Sequence, residues 1–180
     1  MEKLSCAITG HRSQRFKFKN DEKAPLCKKI KAALEEQIKS HYAKGVRTFY
    51  VGGALGVDTW AAEIILKLKK NKEYADMELF LAIPFPEQAE KFSSGSKNRY
   101  DKILSMCDQK KVINNHYSAV AHKRRNYFMV DHSQYLIAVY DQDKSIRSGT
   151  GQTVNYAVKK ERQLTFIHPD TAETTGSKDM

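Results

Sequence analysis

Short, nearly uninterrupted apolar runs alternate along this chain with segments of helical periodicity, and that alternation leaves few folds open. Residues 4–9, 47–51, 78–83, 111–114, 135–140 and 164–167 read as strands. Between the first two, Leu26, Ile30, Leu34 and Ile38 recur at i, i+4 along one face of a helix expected from about Pro25 to Ala43. Pro25 suits its start and Gly45 its stop. Further helices are expected over 59–70, 99–107, 122–132 and 149–160, with a helix start at 87–92 and a loop at 93–96. Strands that are apolar at nearly every position must be covered on both faces, which requires a mostly parallel sheet with helices above and below it. The expected fold is therefore a three-layer α/β domain with about six strands. It spans residues 1–168, and residues 169–180, which carry almost no apolar side chains, are expected to form a disordered tail.

Such a sheet binds ligands beyond the carboxyl ends of its strands, where the strand order reverses. Every chemically suggestive segment of the sequence lies at such an end. The richest is Gly52-Gly53-Ala54-Leu55-Gly56-Val57-Asp58, which leaves the second strand and opens a helix. Glycines let a backbone approach an anion, and the first N–H groups of a helix point at it. The spacing is neither the G-x-G-x-x-G of dinucleotide folds nor a P-loop, so the loop indicates a nucleotide-type ligand without naming it. Asp58 in the first helical turn favours the helix dipole but repels a phosphate; it is expected to tie the loop down or meet a ribose hydroxyl.

Four more strand ends add to the set. Gly10-His11-Arg12 offers a tight turn and a planar guanidinium suited to phosphate. After the third strand, Phe85 offers a face to a base and Gln88 a polar edge, although a proline-bounded turn around a packed phenylalanine explains the same residues. Arg125 and Asn126 lie in a basic helix start, and Ser148-Gly149-Thr150 opens a helix with small residues, amides and hydroxyls. These fourteen positions form the expected ligand site. No spacing links a nucleophile, base and acid into a triad, so binding is better supported than catalysis.

Charge and cysteine content narrow the partners. The 31 Lys and Arg against 21 Asp and Glu give a net charge of +10, which favours anionic partners. Much of it falls on helix-like segments, where a solvated face is the usual explanation. Three cysteines without C-x-x-C spacing read as reduced, buried thiols, and the six scattered histidines form no metal-binding pattern. No apolar stretch reaches bilayer length and no signal peptide opens the chain, so a cytoplasmic protein without membrane association is expected.

The residues carry a resemblance. Gly10-His11-Arg12, Gly52 to Asp58 with Ala61 and Ala62, Pro84-Phe85 with Gln88, and Arg125-Asn126, Met129 and Ser148-Gly149-Thr150 resemble the YpsA-like branch of the SLOG superfamily, the Rossmann-like group uniting Smf/DprA proteins with LOG-type phosphoribohydrolases. The resemblance runs from about residue 4 to 167. It implies a phosphate cleft for a nucleotide or an NAD-derived ligand such as ADP-ribose, and a homo-oligomer. LOG-type enzymes pair an arginine placed like Arg125 with a glutamate in a Pro-Gly-Gly-x-Gly-Thr-x-Glu-Glu segment. Here Gln152 and Thr153 stand where carboxylates are needed, which removes the obvious agent for glycosidic cleavage. Asp58, Glu63 and Asp141 are the available substitutes. The leading expectation is thus a nucleotide-ligand sensor or binding protein, with an N-glycosidic hydrolase as the alternative. A third, a DprA-like single-strand nucleic-acid binder, has the charge in its favour and ranks below these two.

Overall fold

The computed structural model describes residues 3–176. Its elements follow in the order β1 (Leu4–Gly10), α1 (Pro25–Ala43), β2 (Val46–Val51), α2 (Val57–Leu68), β3 (Glu78–Ile83), α3 (Ser94–Met106), β4 (Gln109–Val112), α4 (Ala121–Asp131), β5 (Tyr135–Val139), α5 (Gly149–Lys159), β6 (Gln163–Ile167) and β7 (Thr174–Gly176). One sheet holds all seven strands in the order β4-β3-β2-β1-β5-β6-β7. The first six are parallel, and β7 runs antiparallel to β6. The expected α/β architecture is therefore present, with one strand more than the apolar runs indicate.

Alternation along β1 shows how the sheet is covered. Cys6 and Ile8 point into the larger core, which holds Ile30 and Leu34 of α1, Trp60 and Ile65 of α2 and Ile103 of α3. Ala7 points the other way, with Ala82 and Ala138, into a smaller core beneath Met129 of α4 and Val154 of α5. Small side chains on that face let the two helices sit close to the strands. Fully burying each large aliphatic side chain contributes roughly 1.5–3 kcal/mol, so both faces stabilise the sheet that positions the strand ends.

Several boundaries differ from the sequence reading, each for a local reason. β4 covers Gln109–Val112 rather than 111–114, and all four residues are exposed. An edge strand is held by its ladder of backbone hydrogen bonds, which leaves no apolar trace, and its lysines discourage further pairing. Residues 87–92 form successive turns rather than a helix, with N–H donations from Gln88, Glu90 and Phe92 to residues three back. Ser93, expected in a loop, caps α3 by accepting from the Ser96 N–H. The stretch beyond Pro169, expected to be a disordered tail, turns at Ala172 (φ +61°) and lays β7 along β6. Backbone pairing again needs no hydrophobic side chains. The remainder of that expectation, residues 177–180, lies outside the described residues.

The connectivity sets the site. From β1 the chain steps outward through β2, β3 and β4, then returns through α4 to β5 on the other side of β1. Gly10 and Val139 lie side by side in register at the carboxyl ends of β1 and β5. Their outgoing loops diverge there and open a crevice.

Candidate functional site

That crevice is a cleft of about 300 Å³. One wall is the end of β1, where Gly10, His11 and Arg12 face inward. Gly10 lies so close to α2 that a Cβ there would stand 2.5 Å from Val57 Cγ2, which accounts for the glycine. His11 is buried, and its backbone N–H donates to the Val139 carbonyl at 3.3 Å, stitching the two diverging loops together. Its Nε2 stands 3.7 Å from the Asp141 carboxylate. Burial and the neighbouring Arg15 hold His11 below the usual histidine range, against the pull of Asp141. Arg12 is exposed at the mouth.

The opposite wall is the start of α5. Ser148 caps the helix by accepting from the Gly151 N–H at 3.0 Å. Gly149 and Thr150 follow, and no earlier turn exists to accept from their N–H groups. Space around Gly149 is open to 4 Å, so a ligand can approach this backbone. Together with the helix dipole, the arrangement favours an anion.

The floor is a buried ion pair. Arg125 of α4 and Asp58 of α2 are 4% and 7% exposed, with Nη1 3.9 Å from Oδ2. Arg125 Nη1 also donates to the Gly52 carbonyl, and Nε to the Asn126 side chain at 2.7 Å. Asp58 Oδ2 accepts from the Ala54 N–H at 3.1 Å, while the Thr59 hydroxyl donates to the Ala54 carbonyl at 3.0 Å. Burial disfavours charge on both partners, pushing the Asp58 carboxyl up and Arg125 down, and each offsets much of the other's penalty. A guanidinium keeps its proton in proteins, so Arg125 supplies fixed positive charge beneath the cleft.

A second chamber of about 350 Å³ adjoins the first, sharing Arg12, Gln14, Ala54 and His122 with it. Phe85 and Gln88 line it, and Gln88 Nε2 donates to the Gly53 carbonyl at 3.4 Å. Of the expected residues, Gly10, His11, Arg12, Asp58, Arg125, Asn126, Ser148, Gly149 and Thr150 line the first chamber, and Phe85 and Gln88 the second. Gly52 and Gly53 stand behind the walls with their carbonyls engaged. Gly56, at φ +89°, lines a neighbouring depression of about 390 Å³.

The sequence reading misses Gln14, Arg15 and His122, of which His122 has the most perturbed chemistry. It lies in the first turn of α4, between the chambers, and meets the Phe85 ring edge-on at 5.5 Å. Burial, then Arg125 and Arg12, pushes it down to about 4. A lone histidine without motif spacing carries no sequence signal, since its role depends on burial and on Arg12, more than a hundred positions away, as well as on Arg125 one turn along the helix. His11 and His41 are also lowered by burial. As pH falls from the ordinary histidine value near 6.5 toward 4, the unfolded chain takes up protons that these folded histidines refuse, so stability is lost over that window. Thermal unfolding at about pH 7 and pH 5 should show the midpoint falling, and His122→Asn should reduce the fall. An equal fall in the variant would place the effect elsewhere.

The sequence matches the YspA SLOG family (YpsA) over residues 6–172, and the chain belongs to that family. UPF0398 proteins of Bacillus thuringiensis strain Al Hakam and Bacillus cereus strain AH187 are each 32% identical over 165 residues, covering 90% of this chain and 86% of theirs. The fold is similar to DNA processing protein A from Helicobacter pylori, described for its single-stranded DNA binding mode. The TM-score is 0.61 at 17% identity, over 98% of this chain and 71% of that one.

Proposed function

We propose that the two joined chambers bind a nucleotide or an NAD-derived ligand such as ADP-ribose, and that the protein acts as a sensor or carrier of that ligand. The observation that carries this reading is the division of chemistry between the chambers. Arg12, Arg125 and the open start of α5 converge on the first, which suits phosphate. Phe85 and Gln88 furnish the second with a ring and an amide, which suits a base. The junction at Gln14 and His122 is then the place for ribose. In this reading the glycine loop works indirectly: Gly52 and Asp58 hold Arg125, and Gly149 and Thr150 meet the phosphate.

The test is thermal unfolding against AMP, ADP, NAD and ADP-ribose. A ligand at a hundred times its dissociation constant adds about 2.7 kcal/mol, which for a chain of this size raises the midpoint by roughly 5–10 °C. Arg12→Ala removes an exposed side chain at little cost to the fold and should abolish most of the shift. A flat response to all four ligands, or a shift that Arg12→Ala leaves intact, contradicts the proposal.

One observation favours hydrolysis as a second reading. Of the three substitute carboxylates, Asp58 lines the cleft, whereas Glu63 is held by Arg99 at 2.7 Å on the far side of α2 and Asp141 faces His11 and Arg15. Burial raises the Asp58 carboxyl, as suits a general acid or base. Release of free base or nicotinamide by the wild type, lost in Asp58→Asn while ligand still stabilises the variant, would establish it.

A further inference from the structure

The structure brings basic and aromatic side chains of two helices together on one surface. Tyr127 of α4 and Tyr156 of α5 stack with centroids 3.7 Å apart and planes 5° from parallel. Lys123, one turn before Tyr127, stands 5.4 Å from its ring, and Lys160, one turn after Tyr156, stands 5.4 Å from the other. The result is a column of cation, ring, ring and cation over the seam between the helices. Beside it runs an open groove of about 550 Å³, lined by both tyrosines with Lys144, Arg147, Asn155 and Lys159, and by no carboxylate. Among the described residues no carboxylate comes within 4.0 Å of Lys123, Lys144, Arg147 or Lys159. The nearby acids are already engaged: Asp131 by Lys160 and the Tyr156 hydroxyl, Asp143 by Ser145.

We propose that this groove binds single-stranded nucleic acid, with Lys144, Arg147 and Lys159 tracking phosphates and the tyrosine pair serving as a stacking platform. Four uncompensated cations beside two aromatic rings are the combination that holds a strand without reading its sequence. Each ring has one face against its partner and one beneath a long, flexible lysine. A base that stacks on the outer face of Tyr127 displaces the Lys123 ammonium, which then pairs with an adjacent phosphate. The platform requires unpaired bases, so a single strand fits where a duplex engages only the cations. An anionic membrane would also attract the lysines but gives the stacked rings and Asn155 nothing to do. The groove and the nucleotide cleft share Ser148 yet use different cations, so this site does not depend on the reading of the cleft.

The experiment is fluorescence anisotropy of a labelled oligothymidylate of about 20 nucleotides titrated with the full chain at graded salt. Three to four phosphate contacts predict that log K falls with log salt at a slope of about −2 to −3. Lys144→Glu combined with Lys159→Glu should weaken binding more than about tenfold and flatten the slope. The same double variant should retain the ligand-induced thermal shift of the cleft. Tyr127→Ala should weaken binding roughly tenfold with the slope preserved; Tyr127→Leu, which keeps much of the packing, should do the same and so separates stacking from folding. The proposal is overturned by no binding at low salt, by binding that ignores the charge reversals, or by equal affinity for a duplex of the same length. Capture by phosphatidylglycerol vesicles with no uptake of the oligonucleotide would overturn it as well.

Discussion

Gly52→Ala should destabilise the protein by about 3–5 kcal/mol, a loss seldom produced by adding one methyl group. The new Cβ would lie inside the guanidinium of Arg125, at Nη1, Cζ and Nε alike. On a surface, an arginine would swing aside at little cost. Here the side chain is buried, held by the Gly52 carbonyl and by Asn126, and its displacement strands Asp58 without a counter-charge. Breaking a buried pair while leaving one partner in place incurs most of the desolvation penalty of the remaining charge. Urea unfolding reads the effect directly. A loss below about 1 kcal/mol would mean that Arg125 relocates freely and that the cleft floor is not a fixed element.

Arg125→Ala should cost a similar amount, and its partner decides how that cost behaves. Asp58 then keeps the Ala54 N–H but loses its cation. Burial already pushes its carboxyl up, so without Arg125 it shifts further toward the neutral acid. A carboxyl raised in the folded state binds more protons there than in the unfolded chain, so stability declines as pH rises. Arg125→Ala should therefore be more damaging at about pH 8 than at about pH 5. Pairing Arg125→Met with Asp58→Asn should recover much of the loss, with a coupling of roughly 0.5–3 kcal/mol. Additive losses would show that the two side chains do not stabilise each other.

Much of this arrangement is legible in the sequence because parallel sheets write their core as continuous apolar runs. β1, β2, β3 and β5 announce themselves that way, and α1 does so through Leu26, Ile30, Leu34 and Ile38. Gly10-His11-Arg12 and Ser148-Gly149-Thr150 are legible as strand-end loops, while the strand order that brings them to one mouth comes from the structure. What stays hidden is whatever depends on backbone pairing or on partners distant in the chain. β4 and β7 are held at the sheet edges by main-chain hydrogen bonds. Gly52 reads as a glycine beside an anion, while its close neighbour is a guanidinium more than seventy positions on. The Tyr127–Tyr156 stack cannot be read from either helix alone, because each contributes one ring and one lysine.

Entry of a nucleotide-type anion into the cleft at the switch between β1 and β5 is the central prediction. Backbone amide shifts recorded by NMR while ADP-ribose is titrated to about 1 mM test this directly, since that range detects even weak binding. The predicted result is a saturable set of shifts centred on His11 and Arg12 at the end of β1 and on Gly149 and Thr150 at the start of α5. Shifts gathered on the α4–α5 groove instead, or a spectrum unchanged at the highest concentration, would contradict it.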